Sequence, residues 1–395
     1  MMLETKPIIE IAEIIMGQSP TGDTYNHIGD GLPLLNGPTE FGYYNPECTM
    51  FTTDSKRESK QGDLIFCVRG STTGRMNWAE QIYSLGRGVC AIRGESKLKT
   101  KYIKYCLDAY LDGLLQLAGG GTFPNLSRND IGGFKIPYSD KVEKIASILS
   151  AYDDLIENNL KRIKLLEEKA QLHYKELIQE LSYNKTKKEE YIKDCLAFYI
   201  GGGWGEEDYK EGFTEPAFVI RGTDIPDAKK GELKGVPFRY HKESNLASRS
   251  MQAGDIVFEV SGGSKGQPIG RSILMTKKML HQFGKPVMCA SFCKMLRPNE
   301  NVTPEFFYLY LLASHENGVI AQYEKHSASN IVNYGFEEFI REQKIAIPKE
   351  TDLKAFTEKV KPIFTLISIF GEQNSKLREA RDILLPRLIN GQIEV

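Results

Sequence analysis

Two loops carry the side chains best suited to contact a polyanion. The first is Arg69-Gly70-Ser71-Thr72-Thr73-Gly74-Arg75, with an arginine at each end; the second, Gly262 to Arg271 (GGSKGQPIGR), is again glycine-rich and ends in arginine. Glycine lets a loop backbone approach a phosphate closely, and the flanking arginine supplies charge. If the ligand is duplex DNA, base edges are read by paired donors and acceptors, Arg or Lys on guanine and Asn or Gln on adenine. Phosphates take Lys, Arg, Ser, Thr and backbone N–H groups. The candidates of these types in the first half are Arg69, Thr72, Arg75, Asn77, Arg87, Thr122, Asn125 and Arg128. In the second half they are Arg221, Lys265, Gln267, Arg271, Lys325, His326, Ser329 and Asn330. Any one of them could be an ordinary solvated loop residue; the expectation rests on the sets.

Other chemistries find no constellation. Gly262-Gly263-Ser264-Lys265-Gly266 lacks the order of a phosphate-cradling P-loop. The glycine runs 119–121 and 201–203 lack the spacing and strand–turn–helix context of a dinucleotide site. Asn45-Pro46-Glu47-Cys48 lacks the second proline and the aromatic residue of an amino-methyltransferase motif, and neither HExxH nor GxSxG occurs. The histidines are few and scattered, and the seven cysteines form no CxxC pair, which points to reduced, mostly buried thiols in a cytoplasmic protein without a resident metal. Cys289 and Cys293 are spaced to share a helix face. These observations predict a protein with no catalysis or cofactor of its own. A net charge of −1 argues mildly against a dedicated nucleic-acid binder, but the acidic residues gather on the predicted helices, which leaves room for local basic faces. No signal pattern or membrane-length apolar run is present.

The elements that must position the loops come in two copies. From Val142 the apolar positions step by three and four through Ile145, Leu149, Tyr152, Ile156, Asn159, Ile163, Leu166, Ala170, His173 and Leu177. The series Leu353, Phe356, Val360, Ile363, Ile367, Phe370, Asn374, Leu377, Arg381, Leu384, Leu388 repeats it at an offset of 211 residues. Both are coiled-coil seams, each with one asparagine at a different level. Ile136-Pro137 and Ile347-Pro348 precede the two helices at the same offset. A buried seam asparagine fixes register; in an antiparallel pair the two levels need not face each other, and one asparagine could lie exposed where a partner docks. Pro362 is expected to kink the second helix.

The globules repeat as well. Leu34-Leu35-Asn36-Gly37 matches Val219-Ile220-Arg221-Gly222, and Gly62-Asp63 with the buried run to Val68 matches Gly254-Asp255 with the run to Val260. A helix from Tyr102 to Leu117 matches Phe306 to Leu312, and the KHSASN loop at 325–330 takes the place of AGGGTFPN at 118–125. Lys185 to Glu190 reads as a charged linker, and Lys97, Lys99 and Lys101 as a solvated helix start. The division is a first globule at 1–139, a helix at 140–182, a second globule at 183–349 and a helix at 350–395.

The order globule, long helix, globule, long helix resembles the specificity subunit of type I restriction-modification enzymes over essentially the whole chain. The segments that carry the resemblance most specifically are GTFPNLSRNDI at 121–131, FKIP at 134–137, ILSAYDDLIENNLKRIKLLEEKAQLHYKEL at 148–177, GDIVFEVSGG at 254–263 and LREARDILLPRLINGQI at 377–393. A departure is Tyr138-Ser139-Asp140-Lys141, where the family often has Pro-x-x-Glu-Gln. The resemblance implies an α/β (α+β) fold: two tandem α/β target-recognition domains joined by two long helices that form an antiparallel coiled coil. It implies that each domain recognises one half of a split target in double-stranded DNA and that the helices set the spacer. The helices would also dock methyltransferase (M) subunits, two of them, which would carry S-adenosylmethionine. Motor-nuclease (R) subunits with ATP and Mg would join the complex. Two alternatives stay open: a specificity subunit serving a type IIB methyltransferase-nuclease, and a coiled-coil adaptor that binds proteins rather than DNA.

Overall fold

The computed structural model describes residues 4–119, 124–184, 188–262, 269–326 and 332–395. The chain divides into two compact units. One is Met1–Asp154 with Glu379–Val395, and the other is Leu155–Arg378. The boundary falls inside both long helices, so each unit holds one globule with a segment of each helix, whereas the sequence places the divisions at the helix ends.

In the first unit a four-stranded antiparallel sheet runs in the order Ala12–Met16, Val89–Gly94, Leu64–Cys67, Met76–Trp78. Leu64–Cys67 is apolar at every position and buried on both faces, as a central strand must be. A second, smaller sheet includes Leu32–Leu35 parallel to Ser84–Leu85. The helix Lys97–Leu115 packs on the first sheet. Its cap Ser96 accepts from the Lys99 amide at 3.1 Å, and its inner face buries Tyr102, Ile103 and Cys106. Glu4–Pro7 pairs with Lys135–Tyr138, the strand that feeds the first long helix.

The second unit repeats this plan. Its sheet order is Leu196–Gly201, Cys293–Pro298, Ile256–Glu259, Ser272–Leu274, again with the buried strand third. Its smaller sheet again holds a parallel pair, Glu215–Ile220 with Val287–Cys289. Pro304–Glu316 is the matching helix. Lys188–Tyr191 is a strand paired with Lys344–Ile347, so the segment expected as a charged linker is, from residue 188, part of the globule. Cys289 and Cys293 lie on two strands, not on a shared helix face. All seven cysteines are free, and six are buried.

Gly62 and Gly254 show how far the repetition goes. They have φ of +92° and +96°, a conformation that glycine adopts without strain, and each opens the turn before its central strand. The Gly62 amide donates to Ala79 O at 2.7 Å and the Ala79 amide returns to Asp63 O at 2.9 Å. The Gly254 amide donates to Met275 O at 2.9 Å and the Met275 amide to Asp255 O at 2.8 Å. Asp63 holds Arg93 through two bonds of 2.7 Å, and Asp255 holds Arg297 through bonds of 2.7 and 2.8 Å. Gly202 belongs to the 201–203 run. Its amide donates to Cys293 O, and a Cβ on it would lie 2.2 Å from two carbonyl oxygens. The run therefore serves a close backbone approach.

The first long helix spans Val142–Asn184 and the second Glu350–Ile389. The second runs unbroken through Pro362. That residue and Glu358, whose carbonyl loses its partner, both lie on the exposed face, where water can satisfy the carbonyl. The helices contact each other as an antiparallel pair. In the first unit Val142, Ile145 and Leu149 share a core with Leu388 and Ile389, and Asp153 meets Arg381 at 2.6 Å. Asp153 also accepts from the Tyr105 phenol at 2.6 Å; burial, and then this carboxylate, push the phenol up, so it remains a proton donor. In the second unit Arg162 lies 5.4 Å from the Phe370 ring centroid, and Asn159 donates to Asn374 Oδ1 at 3.0 Å. The two asparagines are 6% and 0% exposed, so the suggestion that one faces a docking partner is overturned. Running the helices in opposite directions brings the two different seam levels together.

Candidate nucleic-acid interface

The loop expected to contact a ligand in the first unit leaves the central strand at Val68. It is tied to the segment before a short helix, Arg128–Gly133. The Leu126 amide donates to Val68 O at 3.0 Å, the Gly70 amide to Pro124 O at 3.2 Å, and the Thr73 hydroxyl to Gly70 O at 2.8 Å. Arg69 and Asn125 face each other as a β-bridge, and Arg69 Nε donates to Asn125 Oδ1 at 3.0 Å. Both side chains are exposed.

The second unit has the same edge. The Tyr334 amide donates to Val260 O at 2.9 Å, Ser261 pairs with Asn333, and Ser261 Oγ donates to Asn333 Oδ1 at 3.0 Å. Phe336–Glu342 is the short helix that follows. Asn333, not Asn330, is thus the counterpart of Asn125. The sequence alignment of the two loops points to Asn330 instead, because the loops differ in length. The signal that could have found Asn333 is the asparagine followed by a buried apolar residue, Leu126 or Tyr334, ahead of the short helix.

The remaining candidates scatter. Asn77 is 3% exposed and its Nδ2 donates to Gly42 O at 3.1 Å, which corrects its assignment as a reader, because its side chain is buried in the core out of reach of a ligand. Thr72 is half-buried with its hydroxyl 3.9 Å from the Cys67 sulfur. Arg221 is committed to Asp224, at 2.6 Å, and to Gly235 O. Arg271 grips Glu259, itself 2% exposed, through bonds of 2.8 and 2.5 Å. These two arginines are structural first, since removing either leaves a carboxylate without its partner. Lys325 pairs with Glu338 at 2.5 Å, both exposed. Arg75 is exposed, 6.0 Å from the Phe41 centroid; Arg87 is exposed with Nε 3.4 Å from Ser19 Oγ; Arg128 is exposed at the start of its short helix. Thr122, Lys265, Gln267, Ser329 and Asn330 lie outside the described residues, as does the His326 side chain, whose backbone ends strand Glu324–His326. The sequence also gave no hint that Arg93 and Arg297 are the partners of the Gly-Asp turns, although each closes a buried strand just before a helix.

Among the described residues no group of three or more His, Cys, Asp or Glu side chains could hold a metal ion, and no helix is long and apolar enough to cross a membrane.

Comparison with known proteins meets this geometry from outside. The family described as "Type I restriction modification DNA specificity domain" matches residues 3–168. A protein of Methanocaldococcus jannaschii provisionally named as the type I restriction enzyme MjaX specificity subunit is 33% identical over 158 residues, 39% of this chain and 37% of that relative. The type I restriction enzyme MjaIX specificity subunit of the same organism is 24% identical over 432 residues, covering 99% of this chain and 94% of the relative. In fold, the chain is similar to the crystal structure of the type-I restriction-modification system S subunit from M. genitalium, with a TM-score of 0.57, 17% identity, and coverage of 98% of this chain and 95% of the other. The match to the first repeat is the more specific, and the longer alignments run on through the second repeat and both helices; residues 3–168 match the type I restriction-modification DNA specificity domain, and the chain as a whole is similar to specificity subunits of that type.

Proposed function

We propose that each globule of this chain recognises one half of a bipartite double-stranded DNA target, that the paired helices set the spacer, and that the chain is itself non-catalytic. On this reading methyltransferase subunits dock on the helices and bring S-adenosylmethionine, and motor-nuclease subunits bring ATP and Mg. One observation carries the reading. Two sheets with the same strand order and the same Gly-Asp/Arg turn present different side chains at the same edge, Arg69 with Asn125 in one and Ser261 with Asn333 in the other. A shared scaffold with divergent edges suits two readers of different sequences.

The test exchanges one reader. Residues 1–139 are replaced by the same region of a related specificity subunit, the hybrid is assembled with its methyltransferase subunits, and methylated positions are mapped on genomic DNA. One half of the target should change while the other half and the spacer stay. Alteration of both halves would rule out separate readers, and the absence of DNA binding by the assembled complex would favour a protein-binding adaptor.

A further inference from the structure

We infer that Arg69 reads a guanine in the half-site contacted by the first globule, and that Asn125 positions it for that contact. The inference rests on the bipartite-target reading above and assigns one contact within it. Four arginines near the two sheet edges face carboxylates: Arg93 with Asp63, Arg297 with Asp255, Arg221 with Asp224 and Arg271 with Glu259. Arg69 differs from these, and it is anchored more closely than Arg87, 3.4 Å from Ser19 Oγ, or Arg75, 3.5 Å from Pro38 O. Its Nε is held at 3.0 Å by a neutral acceptor, Asn125 Oδ1, and among the described residues it has no carboxylate partner. The guanidinium has no counter-charge beside it among the described residues, and one of its donors is already fixed in direction.

The anchor is also stiff. The backbone on both sides of the pair is zipped by Leu126 to Val68 and Gly70 to Pro124, and the Thr73 hydroxyl reaches both Gly70 O and Pro124 O. A guanidinium held through Nε still presents two terminal nitrogens side by side, the spacing that matches guanine O6 and N7 in the major groove. Holding the arginine in advance lowers the rotamer entropy lost on binding. In the second globule Ser261 stands where Arg69 does, with the same asparagine contact at 3.0 Å. Serine has no paired donors, so the equivalent step of the other half-site has no guanidinium contact to guanine.

The experiment uses the full chain assembled with its methyltransferase subunits, selecting from duplex DNA with randomised half-sites. The unaltered complex first defines both half-sites; if it selects no bipartite target, the underlying reading fails and the Arg69 assignment falls with it. Given a bipartite target, Arg69→Ala should lower the preference for guanine at one position of one half-site by roughly 5- to 150-fold, leaving every other position as it was. Arg69→Lys should recover affinity but only part of the preference, because lysine donates from a single point. Asn125→Ala should keep guanine as the preferred base with a smaller ratio, the mark of a positioning residue. Unfolding midpoints of the three variants separate loss of reading from loss of fold. If Arg69→Ala instead weakens all sequences equally and lowers the slope of log affinity against log salt by about one, Arg69 touches a phosphate and the inference is overturned.

Discussion

The two globules differ most instructively at one residue of the buried central strand. Leu64–Cys67 ends in a neutral thiol, and Ile256–Glu259 ends in a carboxylate, each followed by the same turn onto the same edge. Burial pushes the Cys67 thiol up and keeps it uncharged. Glu259, 2% exposed, draws in Arg271, whereas Arg75 at the matching place before the next strand stays exposed. One strand-end residue therefore decides whether the arginine that follows the loop is an internal strut or a surface cation. The Gly-Asp turns one strand-length earlier are unchanged between the copies, down to hydrogen bonds that agree within a few tenths of an ångström. Strands and turns form the common frame, and the edge they carry is where the copies part.

That contrast can be broken from the side of the frame. Asp63→Ala and Asp255→Ala should be the most damaging changes, since each removes the buried carboxylate that holds an arginine and frees a turn amide, Lys60 N or Gln252 N; Arg93 keeps the exposed Glu13 at 2.9 Å, so the cost at Asp63 should be slightly the smaller. The arginine side chains are 24% and 30% exposed, so water recovers part of the loss. About 2–4 kcal/mol is expected for each, read from denaturant midpoints. A cost confined to one of them would show that the two frames are not equivalent.

The contrast sharpens at the strand end. Glu259→Ala leaves Arg271 without its buried partner and should cost about 2–3 kcal/mol, while Cys67→Ala removes only a small buried sulfur at about 1 kcal/mol. Adding Arg271→Met to Glu259→Ala should restore most of the stability, because the pair is replaced by apolar contact. If the double change is no better than the single, Arg271 is not the group that makes the loss of Glu259 expensive.

The smallest expected effect lies on the helices. In the shared seam frame Asn159 corresponds to Phe370 and Asn374 to Ile163, so here too the copies differ. Asn374→Leu should destabilise by about 1–2 kcal/mol by leaving the Asn159 amide with only the 3.4 Å contact to Gln373. The double change with Asn159→Leu should recover that loss, with a coupling of about 1 kcal/mol in a double-mutant cycle. Additive losses would mean that the two asparagines act independently.

Much of this architecture was legible in the chain. The steps of three and four and their recurrence after 211 residues are local periodicities, and they identified both long helices before any contact was known. The Gly-Asp turn signals and the runs after them marked the central strands, because a turn pair followed by apolar residues, unbroken in the first copy and interrupted only by Glu259 in the second, leaves few alternatives. The candidate edge was legible only as a pool of polar loop residues. Which of them stay free depends on partners brought close by strand pairing: Asp224 and Glu259 take Arg221 and Arg271, the core takes Asn77, and Asn125 leaves the charge of Arg69 in place. Periodicity likewise showed two asparagines at different seam levels, and only reversal of helix direction decided that they meet. Sequence pattern fixes which face of an element is apolar. Which polar groups find each other is set by distances between elements, and those exist only in the folded chain.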